Sequence, residues 1–192
     1  MNEFSNLFPQ EKKSKTIILA GLNTQIIKET TERVLRPYFK NDEEFLVIIN
    51  NLENTEDVKF LFQKSSFPVL VLNQVSDISV EKIKILAEAM LGQGFLIINS
   101  GEETIRQIKE GILVPVLSFG FEEKSDFYAS DVKINGGINF KINYKGNSVP
   151  IWLEKSKWEE QIIGALAIVA IATVFGLNLV EISEALKTPD KA

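Results

Sequence analysis

The chain has no cysteine and no histidine among its 192 residues, and only two tryptophans and two methionines. Without cysteine there is no disulfide framework and no thiolate nucleophile; without histidine there is no Ser-His-Asp arrangement and no zinc site of the usual kind. A basic block is lacking too: 21 Lys and Arg stand against 26 Asp and Glu, a net charge of -5, with the lysines scattered among acids. Nucleic acid is therefore not expected as a partner. A cysteine-free chain fits the cytosol, the location expected here. Residues Met1 to Gln10 carry no basic leader ahead of an apolar run, so no secretory signal is expected, and 1–14 reads as a lead-in. No repeat, Pro-rich linker or low-complexity tract divides the rest, so 15–188 reads as one domain.

What is present is a regular succession of apolar runs: TIILA (16–20), EFLVIIN (44–50), FPVLVLN (67–73), GFLIINS (94–100) and ILVPVLSFG (112–120). Continuous runs of this kind suit strands covered on both faces. Between them, apolar residues at helical spacing predict helices over about 24–39, 55–64, 79–91 and 102–109. Strands alternating with helices imply an α/β fold over 16–120, a parallel sheet covered by helices. From Asp126 the texture turns to alternation, in 130–134, 138–144 and 149–153, broken by Asn135-Gly136-Gly137 and Lys145-Gly146-Asn147. That predicts a small antiparallel sheet with tight turns over 126–153.

Closing helices follow over 157–187. Residues 161–180 (QIIGALAIVAIATVFGLNLV) carry no charge over a length that could span a bilayer, so a membrane segment competes with a buried helix. The many alanines, Asn178 and Gly176 favour the buried reading, with Gly176 placed to end the helix in a left-handed cap. An amphipathic helix over 179–186 then completes the chain.

One turn stands out. Ala20-Gly21-Leu22-Asn23-Thr24-Gln25-Ile26 lies where the first strand hands over to the first helix, the position of a phosphate-binding loop. Such a loop uses glycines to aim backbone N–H groups at phosphates, a lysine to offset charge, and a hydroxyl to hold Mg²⁺. Thr24, Gln25 and Ile26 stand in the places of glycine, lysine and hydroxyl. Lys28, a turn further along, reads as an ordinary surface lysine.

The second half carries most of a resemblance to a known family. Ser118-Phe119-Gly120 followed by Ala129-Ser130-Asp131-Val132, then Gly137-Ile138-Asn139-Phe140-Lys141-Ile142, then Gly164 to Ala172 with Gly176-Leu177 and Ile182 to Leu186, resembles the central ATP-binding domain of the Mur ligase family, which includes folylpolyglutamate synthetases. In the first half, Phe67 to Val75 and Gly94 to Asn99 are similar to that domain's strands ending in asparagine. The resemblance covers nearly all of 16–187. It leaves out the family's N-terminal and C-terminal domains, which select the large substrate and bring in the amino acid.

The resemblance implies ATP-dependent amide formation through an acyl phosphate, which needs a phosphate cradle, Mg²⁺ ligands and a base-like environment for the attacking amine. At the corresponding places stand Gln25 for the lysine, Ile49-Asn50-Asn51 for a metal-binding glutamate, Ser76-Asp77-Ile78-Ser79 for a histidine-bearing turn, Leu86 for a carbamylated lysine (with Lys82 and Lys84 out of register), and Glu160 to Gly164 for an H-N-x-x-N motif. The expectation is a degenerate site with no catalytic and no metal-ligating residue. Gly21, Asn23, Thr24, Gln25, Asn73 and Asn99 would remain as vestigial nucleotide contacts, with ATP and Mg bound only if the site is residual. The expected role is a non-catalytic interaction or regulatory protein related to peptidoglycan ligases, with a protein partner or a second copy; the alternative is an ATP-dependent acid–amino acid ligase or a nucleotide-binding subunit.

Overall fold

The computed structural model describes residues 13–39, 44–50, 54–74, 79–90, 92–99, 102–153 and 158–187. Strands β1 (Lys13–Gly21), β2 (Glu44–Ile49), β3 (Ser65–Asn73), β4 (Phe95–Asn99) and β5 (Val116–Gly120) form a parallel sheet in the order β2-β1-β3-β4-β5. Helices α1 (Thr24–Leu35), α2 (Thr55–Lys64), α3 (Val80–Glu88) and α4 (Glu102–Lys109) follow the first four strands in turn. Because successive side chains of a strand point to opposite faces, Ile17 and Leu19 join the layer of α1 while Ile18 and Ala20 join that of α2 and α3. The continuous apolar runs thus have the expected cause, burial on both faces.

β6 (Phe127–Ile134), β7 (Ile138–Tyr144) and β8 (Asn147–Leu153) are the antiparallel strands. They extend the parallel sheet: β6 pairs in parallel with β5 at Phe119↔Phe127 and Gly120↔Tyr128, giving one eight-stranded sheet. The chain doubles back over so few residues because Asp126 locks onto Ser118. Its carboxylate accepts from the Ser118 backbone N–H at 2.7 Å and from the Ser118 hydroxyl at 2.8 Å, and the Asp126 N–H donates to the same hydroxyl oxygen at 3.1 Å.

α5 (Trp158–Val174) and α6 (Leu179–Lys187) close the fold. α5 is apolar all round because it is enclosed, packed against α1, α6 and strands of both the parallel and the antiparallel parts. Leu166, Ala167, Ala170 and Ile171 are fully buried. Among the described residues no helix is long and apolar enough to cross a membrane. Gly176 takes the left-handed conformation expected of it (φ 96), with the Leu177 N–H donating to the Ala172 carbonyl at 3.1 Å. Asn178 then caps α6, accepting from the Val180 and Glu181 N–H groups at 3.0 Å each, while Glu181 reaches back to the Asn178 N–H.

Of the boundaries that differ from those the sequence suggests, three have a clear local reason. β1 begins at Lys13, ahead of Thr16, because buried Ser14 and Thr16 find partners: the Ser14 hydroxyl donates to the Lys64 carbonyl and the Thr16 N–H donates to the Ser65 hydroxyl, both at 3.1 Å. α1 stops at Leu35 and becomes a short 3-10 turn over Arg36–Tyr38, where Pro37 lacks the N–H that a helix interior needs. β5 starts only after Pro115, which cannot donate to a ladder, though its carbonyl accepts from the Leu96 N–H at 3.0 Å.

Candidate functional site

In an open parallel sheet the chain leaves a crevice where consecutive connections depart in opposite directions, at the carboxyl ends of the strands. With the order β2-β1-β3 that point lies between β1 and β3, whose last residues, Gly21 and Asn73, pair side by side. Gly21 has φ 101, and a Cβ there would lie 1.8 Å from the Asn73 carbonyl oxygen, so only glycine fits. Beyond it, Asn23 adopts the left-handed conformation (φ 57, ψ 23) that turns the strand into α1, a geometry asparagine tolerates better than most residues. Its side chain makes no capping bond and the first turn of α1 contains no acid.

The turn is bound to the sheet by amides. Buried Asn73 donates its side-chain N–H to the Leu22 carbonyl at 2.8 Å, and the Leu22 N–H donates to the Asn73 carbonyl at 2.9 Å. Asn99, at the end of β4, donates to the Asn73 side-chain oxygen at 3.3 Å and offers its own carbonyl to the Gln74 N–H. The two asparagines thereby tie three strand ends together. Gln25 accepts from the Asn50 side-chain amide at 3.0 Å and donates to Glu29 at 2.6 Å. A neutral amide pair thus joins the turn to the end of β2, where the resemblance implies a lysine and a metal-binding glutamate. Leu22 and Ile26 are left 58% and 62% exposed.

An open cleft of about 970 Å³ runs along these strand ends. Of the residues expected at the site, Asn23, Asn73 and Asn99 line it. Gly21 lies beneath Asn73, Thr24 is half-buried at the start of α1, and Gln25 turns away to Asn50. Leu86 is fully buried under α3 against the sheet, far from presenting a group to the cleft, and the turn 75–78 lies outside the described residues.

The cleft also gathers residues that motif reading passed over, Arg106 and Lys109 from α4, Lys124 and Ser125 from the β5–β6 loop and Glu159 from the start of α5, together with Glu160, which stands where the resemblance implies an H-N-x-x-N motif. The signal that finds them is position, since α4, that loop and α5 all begin beside the carboxyl ends of the strands. Three cations, Arg106, Lys109 and Lys124, face four acids, Glu110, Glu122, Glu159 and Glu160, so the lining has no cationic excess. A second, more apolar hollow of about 440 Å³ opens between α1 and α5, with Ile27, Leu153, Ile168 and Leu186 in its wall and Gln161 and Gly164 at its edge. Among the described residues no group of three or more carboxylates could hold a metal ion.

This arrangement, a β2-β1-β3-β4-β5 sheet continued by three antiparallel strands and closed by an apolar helix, has the fold of Mur ligase central domains. A MurF from Acinetobacter baumannii superposes with a TM-score of 0.72 at 17% identity, over 95% of this chain and 48% of that one. The UDP-N-acetylmuramate:L-alanyl-gamma-D-glutamyl-meso-diaminopimelate ligase of Neisseria meningitides gives 0.73 at 14% identity, over 100% of this chain and 70% of that one. A MurF ligase from Thermotoga maritima in complex with ADP gives 0.68 at 13% identity, over 93% and 49%. In sequence, the chain is 29% identical to a UDP-N-acetylmuramate–L-alanine ligase of Streptococcus thermophilus over 94 residues. Those residues are 48% of this chain and 21% of that ligase, so the chain spans about a fifth of the curated relative it matches. No family model matches the chain.

Proposed function

We propose that the chain is a Mur-ligase-like domain that has given up the ATP and Mg²⁺ chemistry of its relatives and serves as an interaction or regulatory protein connected with peptidoglycan ligases. The neutral Gln25–Asn50 pair carries this reading. A triphosphate and its metal call for a cation at the turn and an anionic oxygen ligand at the neighbouring strand end, and a charge-assisted contact of that kind contributes about 1.5–3 kcal/mol. Two amides bonded to one another offer neither. Leu22 and Ile26, in and just after the turn, are exposed apolar residues, and Ile26 lines the hollow between α1 and α5, which suits a protein contact better than a polyanion. The partner is then another protein or a second copy of the chain, in the cytoplasm.

Calorimetric titration with Mg-ATP tests the reading. No saturable heat is expected, and binding in the micromolar range would overturn it. Introducing Gln25→Lys with Ile26→Thr should raise whatever affinity remains.

One observation favours a second reading, a nucleotide-binding subunit or working ligase. The cleft of about 970 Å³ borders an α1 start with no side-chain cap, and helix N-termini attract anions without a lysine. ATP turnover measured with and without amino acids separates the two. Turnover that rises with an amino acid would establish the second.

A further inference from the structure

The β6–β7 turn holds the sequence Asn135-Gly136-Gly137, and neither the fold nor the cleft uses the side chain of Asn135. Ile134 pairs with Ile138, so the three residues between them form the whole loop. Asn135 and Gly136 are both exposed. The bond that closes the loop runs from the Asn135 N–H to the Gly137 carbonyl, at 3.0 Å, and leaves the Gly136 nitrogen out of it. The Asn135 side-chain amide makes no hydrogen bond with a described residue. Nothing stands within 4 Å of where a Cβ of Gly136 would be, so the flank of the peptide nitrogen is open to water.

We infer that Asn135 is a site of spontaneous deamidation, the foremost one among the described asparagines. The Gly136 backbone nitrogen loses its proton to solvent base and attacks the Asn135 side-chain carbonyl carbon. A five-membered succinimide forms as that nitrogen–carbon bond is made and the carbon–nitrogen bond of the side-chain amide breaks, releasing ammonia. Water then adds to either ring carbonyl and opens the ring. One opening leaves aspartate in the normal chain; the other leaves isoaspartate, with the chain continued through the side-chain carbon. A residue other than glycine at 136 would crowd the attacking nitrogen. The turn's anchoring on both sides by paired strands does not hold that nitrogen in a ladder bond.

No other asparagine in the sequence is followed by glycine. Asn139, four residues on, is followed by Phe140 and lies inside β7, where its pairing with Trp152 and Lys133 fixes the backbone. Asn73 and Asn99 have their amides engaged. The product has consequences for the turn: a carboxylate appears two residues along the chain from Lys133, and the isoaspartyl form inserts an additional backbone carbon into a loop that sets the Ile134↔Ile138 register.

The test is incubation of the intact chain in mildly alkaline buffer, followed by trypsin and mass spectrometry of the fragment Ile134 to Lys141. That fragment contains Asn135 and Asn139 together. The expected result is a gain of about 1 Da on Asn135, resolved into two products by chromatography, while Asn139 stays unchanged. A synthetic peptide of the same residues, run alongside, shows the rate without the fold. Conversion of the peptide with none in the chain would overturn the inference. So would an Asn135→Gln chain, whose longer side chain disfavours the ring, if that fragment gained mass at the same rate.

Discussion

The two banks of the cleft are built from different chemistry. On one bank, at the ends of β1, β3 and β4, the polar groups are the neutral amides Asn23, Asn73 and Asn99, with the Gln25–Asn50 amide pair turned away behind them, and they are mostly spent on one another and on the backbone. On the other, the start of α5, α4 and the β5–β6 loop present Arg106, Lys109, Lys124 and four glutamates. In a phosphate-binding fold the first bank is where charge belongs, since it holds the helix start and the topological crossing. Here charge is concentrated opposite. A fold held by its sheet and α5 keeps its shape whichever bank carries the charge, so the architecture can outlast a change in the site.

The comparison can be broken from below or from either bank. The largest effect should come from Leu166→Ala in α5, which supports both: emptying a fully buried position should cost about 2–5 kcal/mol in urea unfolding, with fluorescence and circular dichroism moving together. Gly21→Ala on the amide bank should cost roughly 2–4 kcal/mol, because the new Cβ meets the Asn73 carbonyl in a strained backbone. A variant as stable as the parent would show that the turn is free to shift. On the charged bank, Asp126→Ala removes the bonds to Ser118 and should cost about 1.5–3 kcal/mol, read from the same unfolding curves.

Asn73→Ala removes one donor from a buried corner and should cost about 1–2 kcal/mol, with faster hydrogen exchange at Leu22 as its local sign. The smallest effect belongs to Asp131, outside both banks. Its bond and charge interaction with Lys141, aided by Lys133, hold its carboxyl below the ordinary aspartate range. A lowered folded value means that any contribution is present above the ordinary aspartate pKa and is lost as pH falls through the lowered one. The pair is exposed, so Asp131→Asn should leave the unfolding midpoint unchanged while NMR titration of the parent shows the depressed carboxyl.

Much of the fold was legible because its causes are periodic. Runs such as Val69 to Leu72 and alternations such as Ile138, Phe140 and Ile142 repeat the environment of each residue, and Gly176 announces its own conformation. Boundaries were less legible where a partner far along the chain decides them, as Lys64 and Ser65 do for Ser14 and Thr16. For the site, Gly21, Asn23 and Asn73 could be found from their place at strand ends. Their bonding could not. Arg106 and Lys124 escaped notice because no motif spans α4 and the β5–β6 loop.

By itself the sequence determined the class of fold, the absence of any histidine or thiol chemistry, and the absence of a lysine from the turn after β1, since each follows from composition or from neighbours along the chain. The tertiary structure alone decided that Gln25 meets Asn50, that Asn73 closes the turn on the sheet, and that cations and glutamates assemble on the opposite bank. Those are contacts across tens of residues, made only when strand order brings distant ends together. It also decided that an uncharged stretch long enough for a bilayer is the enclosed centre of a sheet protein, because a helix covered on every side has no polar face to display.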